Sequence, residues 1–137
     1  MSVPPDVAEV VRRWVEKAEH DLRNAQYTLT LQDDCPFDTV CFHAQQCAEK
    51  YLKALLIFHG IDSPRTHDLT ELLPLLPPSV AAGVDADGLA QLTPLGVSVR
   101  YPGLSPDPDR QEAMRAVEIA RRVRAAVRGS LPLELPG

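Results

Sequence analysis

Between Thr39 and Gly60 the segment TVCFHAQQCAEKYLKALLIFHG carries apolar side chains at Val40, Cys41, Ala44, Cys47, Ala48, Tyr51, Leu52, Leu55 and Leu56. At about 100° per residue these fall on one broad arc, as an amphipathic helix requires. His43, Gln46, Lys50 and Lys53 follow one another in helical steps on the other side and form a polar stripe. Asp33-Asp34-Cys35-Pro36 supplies an N-cap and an early proline, and Gly60 a C-cap. No Pro or Gly interrupts the run, so propensity and pattern agree. The rest of the chain is expected to pack around this helix.

A first long helix is predicted from about Asp6 to Leu31, with Val10, Val11, Trp14, Ala18, Leu22, Ala25 and Leu29 at helical spacing. Trp14 reads as a core or interface anchor, and Glu16, Glu19, Asp21 and Arg23 read as solvated. After Gly60, Ser63-Pro64 and Pro77-Pro78 bracket a short helix from about His67 to Leu76, capped by Thr66 and kinked or ended early by Pro74. His67 at its start reads as a structural hydrogen-bonding residue. A fourth, irregular helix is expected to begin near Asp85 and to run, bent at Pro94, toward Arg100-Tyr101-Pro102. The Val97-Ser98-Val99 triplet has strand character but no partner pattern.

Asp107-Pro108 predicts the N-cap and first position of a last helix, to about Arg128, with Gly129 as its stop. Its stripe of Ala113, Ala116, Val117, Ala120, Val123 and Val127 is small enough for close helix packing. Arg121, Arg122, Arg124 and Arg128 gather at its end, where positive charge complements the helix dipole. SLPLELPG, 130–137, reads as a short disordered tail. The sum is one all-α domain with its core at about 6–129, an up-and-down bundle of four to five helices.

Composition narrows this picture. At 137 residues the chain can bury a core without disulfide staples. Fourteen Lys and Arg against nineteen Asp and Glu give −5, which disfavours nonspecific binding to long nucleic acids while leaving room for a local basic patch. Cys35, Cys41 and Cys47 are odd in number and read as small buried hydrophobes, and no signal or bilayer-spanning segment is evident. A soluble, cytoplasmic protein is the expectation.

No phosphate-cradling glycine loop, paired CxxC, HExxH or nucleophile elbow occurs. Cys41, His43, Cys47 and Glu49 are ligand-type residues, but they scatter in angle around one helix, so no metal and no cofactor is expected. Two groups remain as candidates. His43, Gln46 and Lys50 form a stripe of a composition that solvation alone does not require. Arg100 and Tyr101, before Pro102-Gly103, combine a phosphate fork with a ring for stacking.

FHAQQCAEKYLKALL followed by Gly60, then THDLTELL, then RYPG, resembles the HEPN domain, a small all-α domain associated with nucleotidyltransferases in prokaryotes. WVEKAEHDLRNAQ in the first helix, and a last helix after an acidic-proline turn, extend the similarity from about Val11 to Val127. The resemblance implies a bundle of four to five helices, a homodimer, and a two-component system, frequently toxin–antitoxin, with a minimal nucleotidyltransferase as partner. Many members are metal-independent ribonucleases that use an Arg followed a few residues later by His. Here Arg100 is followed by YPGLSPDPDR, without a His, and His67 follows Arg65 too closely.

The first expectation is therefore a noncatalytic module binding a nucleotide, RNA or a protein partner through His43, Gln46, Lys50, Arg100 and Tyr101. The alternative is a ribonuclease toxin with a rearranged site, in which Arg100 works with a histidine from elsewhere in the chain.

Overall fold

A computed structural model of the chain describes residues 3–96 and 106–137. Val97–Val99, Arg100 and Tyr101 lie outside the described residues. The fold is all-α. Helix α1 spans Pro5–Thr28, α2 Phe37–Phe58, α3 Leu69–Leu72, α4 Pro78–Ala81, α5 Ala86–Leu92 and α6 Arg110–Ser130, with 3-10 turns at Leu73–Leu75 and Thr93–Gly96.

The apolar arc of α2 is the centre of the core: Val40, Cys41, Ala44, Cys47, Ala48, Tyr51, Leu52, Leu55 and Leu56 are fully buried. Each large aliphatic side chain among them contributes about 2 kcal/mol by leaving water. α1 supplies Val11, Val15, Ala18, Leu22 and Ala25, and α6 supplies Ala113, Ala116, Ala120, Val123 and Val127. Paired positions give the directions. Asp21 meets His43 and Lys50, and Glu19 meets Tyr51, so α1 runs antiparallel to α2. Glu19 also meets Arg124, and Leu29 meets Arg110, so α1 runs antiparallel to α6 as well.

The helix ends refine the boundaries expected from sequence. At the end of α2, Gly60 takes φ +68°, its N–H donates to Ile57 and that of Ile61 to Leu56, a Schellman arrangement that a residue with a Cβ would strain. The start of α2 has no side-chain cap: Pro36 occupies the N-cap position, and Asp33 and Asp34 do not serve. Asp68, not Thr66, caps the short helix α3 by accepting from the Thr70 N–H. Pro74 then tightens the chain into a 3-10 turn, because its ring removes a donor and crowds an α-helical path. α6 starts later than Asp107-Pro108 suggested, since the Asp109 carboxylate accepts from the Glu112 N–H at 2.8 Å. Gly129 does not stop α6, which continues to Ser130.

The prolines at 64, 74, 77, 78 and 94 break the arm between α2 and α6 into short helices, among them the unforeseen α4. Residues 131–137, expected as a disordered tail, lie against the bundle. Leu131 is buried, Arg12 donates to the Glu134 carbonyl, and Arg128 donates to the Pro136 carbonyl at 2.7 Å. Among the described residues no helix is long and apolar enough to cross a membrane.

Candidate functional site

The polar stripe of α2 is not turned away from the bundle. It is half-buried, and carboxylates from neighbouring positions organise it. Asp21 of α1 accepts from His43 Nδ1 at 2.8 Å and from Lys50 Nζ at 2.5 Å. Because a carboxylate only accepts, the His43 Nδ1 carries the proton in this contact, which leaves Nε2 for other work. The His43 and Lys50 side chains keep 28% and 26% of their exposure, so both remain reachable from solvent.

A second cluster lies on the same helix. Glu49 accepts from His67 Nδ1 at 2.9 Å, from Lys53 at 3.1 Å and from Gln45 Nε2 at 3.2 Å. Gln45 also donates to the His67 carbonyl and accepts from Gln46 at 2.8 Å, so Gln46 is tied into this cluster. Burial by itself would raise the Glu49 carboxyl pKa; the hydrogen bonds from His67, Lys53 and Gln45 outweigh it and hold the group below its ordinary value. Gly96 packs directly on the Gln45 side chain. Arg100 and Tyr101 follow four and five positions along the sequence.

Glu19 anchors a third cluster between helices. Tyr51 donates its hydroxyl to this carboxylate, Arg124 donates at 2.5 Å, and Arg128 lies at 3.6 Å. Desolvation raises the Glu19 carboxyl pKa, but the hydrogen bonds from Arg124 and Tyr51 and the two guanidinium charges bring it below the ordinary value. Burial, then the hydrogen bond to Glu19, pushes the Tyr51 phenol up. Two of the four arginines expected to complement the end of α6 thus bind an acidic side chain of α1.

Of the sequence candidates, His43 and Lys50 meet on one carboxylate, Gln46 joins the adjoining cluster, and Arg100 and Tyr101 fall outside the described residues. Asp21 and Glu19, read from sequence as solvated, are buried. Gln45 was not singled out by the sequence, and Glu49 only as a ligand-type residue without convergent partners, yet both are buried too. A signal was present for three of these. Glu19 stands four after Val15 and three before Leu22, Gln45 four after Cys41, and Glu49 three before Leu52, all positions on an apolar stripe.

Beside Lys50 an open groove of about 290 Å³ is lined by Arg13, Trp14 and Lys17 of α1 together with Lys50 itself, and its walls are almost wholly apolar. A larger cleft of about 620 Å³ between α5 and α6 is lined by Asp109, Glu112 and Arg115 among others and contains none of the candidates. Among the described residues no group of three or more His, Cys, Asp and Glu is placed to hold a metal ion.

A family model of the HEPN domain matches residues 11–130. The chain belongs to the HEPN family. This HEPN domain is similar to TT1696 from Thermus thermophilus, with 32% identity, 88% of this chain and 98% of that chain covered, and a TM-score of 0.76. It is also similar to ST0689, described as an archaeal HEPN homologue, with 29% identity, coverage of 87% and 95%, and a TM-score of 0.68. No curated protein matches the chain.

Proposed function

We propose that this HEPN domain is a binding module, noncatalytic by itself, that engages a nucleotide and a minimal nucleotidyltransferase partner in a two-component system of the toxin–antitoxin type. The observation that carries the reading is the Asp21 carboxylate, which holds His43 and Lys50 together on a half-exposed face. Such anchoring lowers the entropy lost when the two side chains receive a ligand. Lys50 uses one ammonium proton on Asp21 and keeps two for a phosphate oxygen. Gln46 adds a neutral polar group, and Arg100 and Tyr101 join as a phosphate fork and a stacking ring. The domain works as a homodimer in this reading.

Two measurements test it. Native mass spectrometry of the protein purified from its own cells should give a dimer carrying a small nucleotidyltransferase chain or a bound nucleotide. Lys50→Ala with Arg100→Ala should keep the fold and abolish nucleotide binding. Titration curves identical to those of the unaltered protein would overturn the assignment of these residues.

One observation favours the alternative, a metal-independent ribonuclease. A histidine oriented through Nδ1 by a carboxylate, with no partner on Nε2 among the described residues, is suited to general base catalysis. In that reading His43 takes the proton of a ribose 2′-hydroxyl, and the oxygen attacks the adjacent phosphorus. The bond to the 5′-oxygen breaks, that oxygen takes a proton from water and leaves as the 5′-hydroxyl, and a 2′,3′-cyclic phosphate remains, while Lys50 or Arg100 stabilises the charge on the phosphoryl oxygens. RNA left intact by the pure dimer across the pH range where histidine titrates would eliminate this alternative.

A further inference from the structure

We infer that the groove between α1 and α2, lined by Arg13, Trp14, Lys17 and Lys50, is a nucleotide subsite in which a base lies against Trp14 and its phosphate meets the three cations. The inference rests on the nucleotide-binding reading above and adds to it a site on α1.

Three observations converge on this ligand chemistry. First, the sign of the charge is local: the chain carries −5, yet the groove is lined by three cations and no carboxylate. Arg13 and Lys17 are one helical turn apart, hence neighbours on the surface of α1. Among the described residues neither has an ion-pair partner, whereas Lys50 is held by Asp21.

Second, the walls are apolar, formed by the Trp14 ring and the methylene stems of the long basic side chains. A bare phosphate gains nothing from such walls. An aromatic ring does, by stacking and by removing apolar surface from water, while the ammonium and guanidinium groups are left for an attached anion. Trp14 packs only partly on the core, and its indole N–H has no partner among the described residues.

Third, size selects a mononucleotide. A groove of about 290 Å³ lies at the lower edge of small-molecule sites, large enough for one base with its sugar and phosphate. A long polyanion would also meet the net negative charge of the rest of the domain.

Trp14 is the only tryptophan of the chain, so its fluorescence reports on the site directly. The full chain is titrated with adenosine monophosphate, and adenosine and ribose 5-phosphate serve as probes lacking the phosphate or the base. Calorimetry then follows Arg13→Ala/Lys17→Ala and Trp14→Leu. The expected result is saturable quenching by the mononucleotide, with each incomplete probe weaker by about tenfold, and a loss of about tenfold or more in either variant.

Arg13 and Lys17 are exposed, so their replacement leaves the fold intact even if Trp14→Leu loosens it. Mononucleotide binding that leaves Trp14 emission and the double variant unchanged overturns this subsite alone and leaves the nucleotide-binding reading standing. No binding at all overturns both. Quenching by a single-stranded oligonucleotide without any by the mononucleotide overturns the choice of ligand.

Discussion

The Glu19 carboxylate accepts a hydrogen bond from Arg124 Nε at 2.5 Å, joining the first long helix to the last across 105 positions of sequence. The buried Tyr51 hydroxyl of α2 donates to the same carboxylate, so one acidic side chain holds three helices in register. Glu19→Ala leaves the phenol without its acceptor and the guanidinium without its counter-ion. Breaking a fully buried pair costs about 3 to 5 kcal/mol. Arg124 keeps 34% of its side-chain exposure and can turn to water, so a loss of about 2 kcal/mol is expected here. Tyr51→Phe, which removes the donor to Glu19 and the acceptor of the 3.2 Å hydrogen bond from Arg128 but leaves the Arg124 pairing in place, should lose about 1 kcal/mol. Urea unfolding midpoints check the order, and equal losses would show that the arginine pairing contributes nothing.

Acid should weaken the domain through the same carboxylates. Glu19 and Glu49 are both held below their ordinary pKa of 4.5 in the folded chain. The unfolded state therefore binds more protons in the acid range, and stability rises with pH there. Their contribution is complete well above pH 4.5 and is lost as pH falls below that value and through the folded pKa values. Thermal midpoints measured from pH 7 downward should fall in that window, and Glu19→Gln/Glu49→Gln, already less stable at neutral pH, should show a flatter decline. A double variant with the same acid slope as the unaltered protein would exclude these two groups as the cause.

Gly96 is fixed by contact rather than by backbone conformation. A Cβ at this position would stand 2.5 Å from Gln45 Oε1 and 2.6 Å from Gln45 Cδ. Gln45 is fully buried and hydrogen-bonded to Glu49, Gln46 and the His67 carbonyl, so it has nowhere to move. Gly96→Ala should destabilise by about 1 to 3 kcal/mol. Combined with Gln45→Ala the second substitution should cost much less, because the obstructing side chain is gone. Additive losses in a double-mutant cycle would show that the clash is relieved elsewhere.

The thiols should differ in reactivity. Burial, with smaller contributions from Glu112, Asp38 and Asp109, pushes the Cys41 thiol up to about 12, and burial likewise raises Cys47. Both are inaccessible as well as protonated at neutral pH. Cys35 is partly exposed, its thiol donating to the Thr28 carbonyl. A thiol reagent at neutral pH should modify Cys35 alone in the folded domain and all three cysteines in urea. Rapid labelling of Cys47 without denaturant would indicate local opening of α2.

What was legible in the sequence was whatever depends on periodicity. The long helices, their buried stripes apart from Val10, which is exposed, and the Gly60 terminus follow from spacing and from residues with restricted or permissive backbones. Between α2 and α6 the prolines announced interruption but not where each short helix would begin, because caps such as Asp68 and Asp109 compete with equally suitable neighbours. The buried carboxylates were hidden for a different reason. An acidic residue such as Asp21 reads as solvated until its partners are known, and His43 and Lys50 lie 22 and 29 positions away. Polar stripe and acidic partners become one site only after α1 has folded back on α2.

Asp21→Asn separates the two functional readings by the sign of its effect. The substitution keeps an oxygen to accept from His43 or Lys50 while removing the negative charge between them. If the face binds a phosphate, one repulsive charge disappears near the ligand. Nucleotide affinity should then rise by about fivefold, corresponding to roughly 1 kcal/mol of Coulomb energy between the buried carboxylate and a phosphate held on the half-exposed face and screened by water. If His43 is the base of a ribonuclease, the carboxylate orients the ring and stabilises the imidazolium. Its loss should lower cleavage by orders of magnitude, as in other carboxylate-oriented histidines, while RNA binding holds or tightens. Parallel titration and cleavage assays on this variant, with circular dichroism to verify the fold, read both quantities. Unchanged nucleotide affinity without any cleavage to lose would contradict both readings and point to Asp21 as a purely structural link between α1 and α2.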